Sequence, residues 1–342
     1  MPAQPTSRDN APAYLAKYLD RKVTTPVAPQ YEDHNLPPYL LKARERAAER
    51  ARFEAITETA PPDGSEALAF ETVGPRELDM PDVIRKHLAG STDVRLIRHG
   101  QTQGYVTDAA LTDRGRWQAH RKGQDLARSL SPGTTVKLLF APTPRAEETA
   151  RGVREGINQG LARFGIEGVE VLDAVVAPEF DNFQVWADGQ ECDVTHAFTK
   201  YATYLDEHMK TGKGNREGWM MEMDRFWKIQ AAGGDPITHW IGQVMQYVEP
   251  PHLVIRRWWR GIVKYVGEGP ANQRIYICSH SGPIRAMAAN AVGHDPGEPN
   301  NVEDVRIRVL KDLDRAIVTY RGRGVEIEIP TNVSPSWFTR SN

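Results

Sequence analysis

The stretch Asp93-Val-Arg-Leu-Ile-Arg-His-Gly-Gln-Thr102 decides the reading of the chain. Val94 and Leu96 alternate with charged neighbours, Ile97 follows, and the run stops at Gly100. A short apolar run closed by glycine predicts a buried strand, here one that delivers Arg98-His99-Gly100 at its C-terminal end. Open α/β sheets place their ligands outside the carboxyl ends of strands. A histidine flanked by arginine at such an end faces the place where an anion would sit.

Outward from this strand, strand and helix signals alternate. Leu111-Thr112-Asp113 opens a helix to about Leu130, with Thr112 as N-cap and Trp117, Ala119, Leu126 and Leu130 as its inner face. Val136–Ala141 reads as a second strand. Thr143 as N-cap and Pro144 at the first helical position then start a helix from Arg145 to about Ile157. Val169–Leu172 is a third strand, leading into Ala177-Pro178-Glu179-Phe180-Asp181-Asn182. Residues 190–250 read as a helical insertion, with helices at Val194–Met209, Trp219–Gln230 and Pro236–Tyr247 separated by glycines. A helix from about His252 to Gly267 carries Trp258 and Trp259, both expected in the core. Arg274–Ser279 is a fourth strand ending at His280, followed by a helix over Gly282–Val292. Val305–Leu310, Arg315–Tyr320 and Val325–Ile329 are three closing strands, close enough together to pair antiparallel. The alternation predicts an α/β three-layer sandwich: a mainly parallel central sheet, helices on both faces, a helical insertion and an N-terminal arm.

The arm and its helix are read over residues 1–90, and the α/β domain over residues 91–342. Pro26, Pro29, Pro37 and Pro38 break the first part of the arm, and Tyr39–Glu58 predicts a helix with one apolar and one charged face. Such an arm would serve to wrap a neighbouring subunit, which makes a homo-oligomer an expectation. The charge balance, 43 Lys+Arg against 45 Asp+Glu, gives −2, so no global field draws the chain to nucleic acid or to a membrane surface. No apolar stretch of membrane-spanning length is present, and Met1-Pro-Ala-Gln-Pro-Thr lacks the pattern of a secretory signal. Cys192 and Cys278 make no framework, which leaves a reducing, cytoplasmic setting as the expectation.

His99 and His280 each end an apolar strand, and parallel neighbours would bring both to one edge of the sheet. Arg98 sits beside the first, Arg145 begins the helix after the second strand, and Glu179 follows the third. Arginine grips phosphate bidentately, and helix N-termini add backbone donors. Cations beside an imidazole hold it in its neutral, nucleophilic form. The set suits attack of a histidine nitrogen on a phosphoryl group, with a carboxyl supplying the leaving oxygen's proton. Thr102 reads either as a phosphate donor from the turn or as its cap. The other histidines (His34, His87, His120, His196, His208, His239, His252 and His294) show no paired ligand spacing, so neither a metal nor a cofactor is expected.

Four segments, Leu96-Ile-Arg98-His99-Gly100-Gln-Thr102, Leu111-Thr-Asp-Arg-Gly115, Pro144-Arg145-Ala-Glu-Glu-Thr149-Ala150 and Ser279-His280-Ser-Gly282, resemble the histidine phosphatase (phosphoglycerate mutase-like) superfamily. The resemblance spans about 93–184 and 252–330. It implies a metal-independent phosphomonoesterase that works through a phosphohistidine on His99. Arg98, Arg145 and His280 would hold the phosphoryl group of a small phosphorylated substrate. The proton donor would follow the third strand, where Glu179 fits best and Asp181 is the runner-up. The departures are Tyr105 where many members carry Asn, Ala141 in place of the usual Ser, and Ser281 where Gly is common. A phosphomutase of the same superfamily and a non-catalytic phospholigand-binding scaffold are the competing readings. The insertion is expected to cap the site. Lys200, Lys210, Lys213, Arg216 and Arg225 are its candidate contacts to a second substrate anion, each read first as a solvated surface charge.

Overall fold

The computed structural model describes residues 86–103, 109–211 and 217–330, with the side chains of 208–211 left aside. These residues fall in one compact unit, Pro81–Asn342. The arm to residue 85, its helix over Tyr39–Glu58 and its expected role between subunits lie outside the described residues.

The opening stretch forms β1 (Thr92–Arg98), buried along nearly its whole length. Then come α1 (Asp113–Ala127), β2 (Thr135–Phe140), α2 (Pro144–Phe164) and β3 (Glu170–Val176). A 3₁₀ turn at Pro178–Phe180 leads into β4 (Gln184–Ala187) and β5 (Gln190–Asp193), then α3 (Val194–Thr211), α4 (Gly218–Ala231), α5 (Pro236–Gly242) and α6 (Pro251–Gly267). The chain closes with β6 (Gln273–Ser279), α7 (Ser281–Val292), β7 (Asp304–Val309), β8 (Arg315–Tyr320) and β9 (Arg323–Glu328). The main sheet runs β3-β2-β6-β1-β7-β8-β9. Its first four strands are mutually parallel, and β7, β8 and β9 join antiparallel.

Residues alternate between the two faces of the central strands, which makes three layers. Val94, Leu96, Ile275 and Ile277 pack against Trp258, Trp259, Ile284 and the insertion. Ile97, Leu138, Tyr276 and Cys278 pack against α1 and α2. Trp258 and Trp259 are core residues, as expected. No helix among the described residues is long and apolar enough to cross a membrane.

Several elements differ from expectation for local reasons. Trp117 is 62% exposed instead of facing inward. It lies about 200° round the helix from Gly115 at 3.6 residues per turn, whereas Gly115, Ala119, Gly123, Leu126 and Ala127 turn to the core. That face is built from small residues because α1 and α2 touch backbone to backbone: a Cβ on Gly123 would stand 2.1 Å from the Val153 carbonyl oxygen. Helix α2 runs past the expected Ile157, since Gly160 and Leu161 continue its buried face until Gly165 ends it in the left-handed conformation. Helix α5 stops at Gly242, and the following chain turns extended to lay Val248 against Val185. The β4–β5 hairpin was not foreseen, although Asp188-Gly189 is a strong two-residue hairpin signal. Both residues take positive φ, 54° and 78°.

Candidate active site

The β1–β6 register pairs Arg98 with Ser279, so the next residue of each strand, His99 and His280, emerges side by side. Their rings stand 5.6 Å apart between centroids, edge to face at 66°. The turn at His99 is held from four sides. Its N–H donates to the Ser279 carbonyl at 2.8 Å, and its own carbonyl accepts from Asn301 Nδ2 at 3.2 Å. The Gly100 N–H donates to Thr149 Oγ1 at 3.0 Å, and that hydroxyl donates to the Arg145 carbonyl at 2.7 Å. Thr112 Oγ1, the N-cap of α1, donates to Gln101 Oε1 at 3.0 Å while accepting from the Gly115 N–H. A Cβ at Gly100 would stand 2.6 Å from the Gly115 carbonyl oxygen, so only glycine lets this turn seat against α1.

His99 Nδ1 lies 2.8 Å from the Gly100 carbonyl oxygen. A carbonyl can only accept, so Nδ1 carries the proton and Nε2 keeps its lone pair. Burial, then the charges of Arg98 and Arg145, bring the His99 pKa down to about 3. Burial, Arg145, His99 and Arg98 likewise hold His280 well below its ordinary value. Both rings are therefore neutral near pH 7, and His99 presents a free imidazole nitrogen among cations.

Arg145, only 6% exposed, begins α2, and its Nη2 lies 3.4 Å from Thr195 Oγ1 at the start of α3. Thr143 Oγ1 stands 3.5 Å from His280 Nε2, too long for a strong hydrogen bond but adjacent to it. Arg98 Nη1 donates to the Pro299 carbonyl and pairs with Glu298 Oε1 at 3.1 Å, while its Nε is buried with no hydrogen-bond partner. An orphaned buried guanidinium N–H is an invitation to an anionic acceptor. Arg98, Arg145, His99 and His280 thus converge at one edge of the sheet. Thr102 bridges to Leu111 and completes the turn.

The two candidate carboxyls part company. Glu179 Oε1 accepts from Lys264 Nζ at 2.8 Å on α6, and its pKa is lowered despite burial through that hydrogen bond. Neither Glu179 nor Asp181 contacts His99 or His280, and Glu179 Oε2 is buried with no hydrogen-bond partner. Asp181 is turned inward. It accepts from the Asn182 N–H at 2.8 Å and from Gln184 Nε2 at 3.1 Å. Burial first, and then the charge of Asp193, push its pKa up to about 6. Asp193 Oδ1 caps α3 by accepting from the Thr195 N–H at 2.7 Å, and its Oδ2 is buried without a partner. Asp193 thus acts on Asp181 through its charge, and the Thr195 it caps meets Arg145 Nη2 at 3.4 Å. Ser279 Oγ, donating to the Phe180 carbonyl at 2.6 Å, ties the same segment to the residue before His280.

In the insertion, Lys200 pairs with Asp188 at 3.0 Å and lines a cavity of about 310 Å³ with Tyr204, Trp219 and Met220, while Arg225 is exposed. Tyr105, Lys213 and Arg216 lie outside the described residues, as does the side chain of Lys210. Among the described residues, no group of three or more His, Cys, Asp or Glu side chains is placed to hold a metal ion. Sequence reasoning missed Glu298 and Asn301, quoted Thr149 without a role, and read Thr143 only as an N-cap, whose side chain makes no cap hydrogen bond and stands beside His280 instead. The two threonines stand in the Pro144–Ala150 segment or beside it, where a search for hydroxyls flanking Arg145 would have found them. Glu298 and Asn301 reach the turn from some 200 positions away and carry no local signal.

Comparison with known proteins finds one family match and a set of structural likenesses. Residues 94–163 match the family model described as histidine phosphatase superfamily (branch 1). No protein of curated function matches the chain. Among solved structures, a mycobacterial protein described as hydrolase 1 is 16% identical, with 69% of this chain and 100% of that chain covered and a TM-score of 0.42. A mycobacterial glucosyl-3-phosphoglycerate phosphatase is 16% identical over 64% of this chain and 90% of its own, with a TM-score of 0.39. A putative alpha-ribazole-5'-P phosphatase from Escherichia coli is 18% identical over 68% and 97%, also with a TM-score of 0.39.

Proposed function

We propose that this chain, which carries a histidine phosphatase superfamily domain, hydrolyses a phosphomonoester through a phosphohistidine on His99. The observation that carries the reading is the tautomer of His99: Nδ1 is committed to the Gly100 carbonyl, so Nε2 keeps its lone pair, with the His280 ring 5.6 Å away between centroids and the charges of Arg98 and Arg145 acting on it. Arg98, Arg145 and His280 bind the phosphoryl oxygens and offset the charge that develops on them. His99 Nε2 attacks phosphorus in line, an N–P bond forms, and the bond from phosphorus to the ester oxygen breaks. Asp181, protonated below about pH 6, gives its proton to that oxygen as it leaves. A water then attacks the phosphohistidine, Asp181 takes up the water's proton, and the N–P bond breaks to return neutral His99 and inorganic phosphate. Asp181 is preferred to Glu179 as donor because Glu179 is ionised against Lys264, whereas Asp181 holds a proton in the right range.

The test is a phosphoester panel with wild type and His99→Ala, together with base-quenched labelling by a ³²P-ester. Wild type is expected to release phosphate and to carry an acid-labile, base-stable label. His99→Ala should do neither while keeping its fold. Wild-type turnover in His99→Ala would overturn the reading.

A further inference from the structure

Resting on the phosphatase reading, we propose that Glu298 is a positioning residue, which aims the Arg98 guanidinium so that its Nε edge meets the phosphoryl group. The Nη1 corner of Arg98 is fully engaged: it donates to the Pro299 carbonyl and pairs with Glu298 Oε1 at 3.1 Å. Its Nε is buried and unpartnered. Holding the Nη1 corner rotates the planar fork and fixes which edge faces the sheet's end. A phosphate bound there is met by the Nε edge.

The segment that carries Glu298 is built as a bracket. Arg321 donates to the Pro296 and Glu298 carbonyls, each at 2.8 Å, and pairs with Glu303 at 2.8 Å. The Val302 N–H donates to the Arg98 carbonyl at 3.1 Å, and Val302 holds φ at 55°, a conformation that β-branched residues rarely adopt. Such strain persists only where the surroundings over-determine it, and here it accompanies the contact to Arg98.

Behind Glu298 stands Arg285, 1% exposed, whose Nη1 lies 3.6 Å from Glu298 Oε2. Arg285 also pairs with Asp295 and with Asp235, each at 2.6 Å. Asp235 is the N-cap of α5, accepting from the Ile237 and Thr238 N–H groups. The chain Arg98–Glu298–Arg285–Asp235 therefore ties the phosphate grip to the helical insertion, so a shift of α5 reaches Arg98 through paired charges.

Two roles for Glu298 predict opposite signs. As a mere counter-charge it would weaken phosphate binding, and its removal would tighten it. As a positioning residue, its removal weakens binding. The experiment measures inorganic phosphate binding by calorimetry, and kcat and KM for a phosphomonoester, in wild type, Glu298→Gln and Glu298→Ala, with thermal melts as a fold control. Gln keeps a carbonyl acceptor for Nη1 and Ala does not. The expected order of phosphate Kd is wild type, then Gln, then Ala, with Ala weaker by about 10-fold or more. Melts alone would move if the role were only structural. Equal or tighter phosphate binding by a folded Glu298→Ala overturns the inference and leaves the phosphatase reading standing. Wild-type protein that neither binds phosphate nor releases it overturns both.

Discussion

Replacing Asp181 by Asn separates acid catalysis from every other feature of the site. Asn keeps the Oδ1 that accepts from the Asn182 N–H, but it carries no proton to give. A positioned general acid contributes about 10²- to 10⁴-fold, or roughly 3–5 kcal/mol of barrier. The loss should fall on esters whose leaving oxygen needs a proton. An alkyl phosphate should lose about 10²-fold or more in kcat/KM, which reports the steps through departure of the leaving group and not the later hydrolysis in which Asp181 takes the water's proton, and p-nitrophenyl phosphate, whose leaving phenolate is stable unprotonated, should lose little. The pH profile supplies a second measure. With the Asp181 pKa pushed up to about 6, its protonated fraction falls about tenfold per pH unit above that point, to roughly one part in a hundred at pH 8. Wild-type kcat/KM on the alkyl ester should fall accordingly, and that of the variant should not. The substrate's own titration is common to both proteins, so it cancels in their ratio. Steady-state kinetics on the two esters from pH 5 to 8 make the assay. Equal losses on both esters would refute the assignment. So would Glu179→Gln producing the leaving-group dependence instead.

The same variant has a stability signature. The folded pKa of Asp181 lies above the ordinary 3.8, so the folded state binds its proton more tightly, and that contribution is lost as pH rises from about 4 through 6. At pH 8 the ionised, buried carboxylate costs up to about 3 kcal/mol, from roughly two pKa units at 1.36 kcal/mol each. Urea titrations at pH 8 should find Asp181→Asn more stable than wild type, and a less stable variant would contradict the buried charge. His99 and His280 act with the opposite sign. Their folded pKa values lie below 6.5, so their contribution is complete above pH 6.5 and is lost as pH falls toward 3. Melts from pH 7 down to 4 should show wild type losing Tm more steeply than a His99→Asn, His280→Asn double variant. Gly123→Ala should lower stability by about 1–3 kcal/mol, because its Cβ meets the Val153 carbonyl oxygen and neither backbone can yield. An unchanged Tm would mean that α1 and α2 stand farther apart.

Legibility in the sequence followed the range of the interaction. The parallel strands declared themselves through runs such as Val94-Arg-Leu-Ile97 and Ile275-Tyr-Ile-Cys278, and their ends fixed His99 and His280 as neighbours. Arg145 was legible because Thr143-Pro144 marks a helix start. The inner face of α1 was misread because bulk was taken as the mark of burial. At this contact the backbones approach so closely that glycine and alanine hold the buried positions and Trp117 is left outside. The proton donor was ambiguous for another reason. Glu179 and Asp181 lie in a 3₁₀ turn and the extended chain after it, where no period of 2 or 3.6 says which side chain turns inward. Their partners, Lys264, Gln184 and Asp193, set the two carboxyls apart, and only the fold brings these together.

These differences sort the site into two parts with different origins. The proposed nucleophile and phosphate grip sit at strand ends and a helix start of the sheet, where backbone geometry leaves little freedom. The carboxyl proposed as proton donor depends on β5 and the start of α3, which belong to the insertion: Asp193 raises the Asp181 pKa, and Thr195 meets Arg145. On the proposed mechanism, changing the insertion alters proton delivery and phosphate binding together. Arg285 extends the same dependence to Arg98 through Glu298. A cap joined to the chemistry at both the acid and the phosphate grip cannot be exchanged as a detachable specificity module. A chimera carrying a relative's residues 184–250 should lose kcat on activated esters as well as selectivity among substrates. A chimera with full activity on p-nitrophenyl phosphate would show that the sheet edge positions Arg98 and Arg145 unaided.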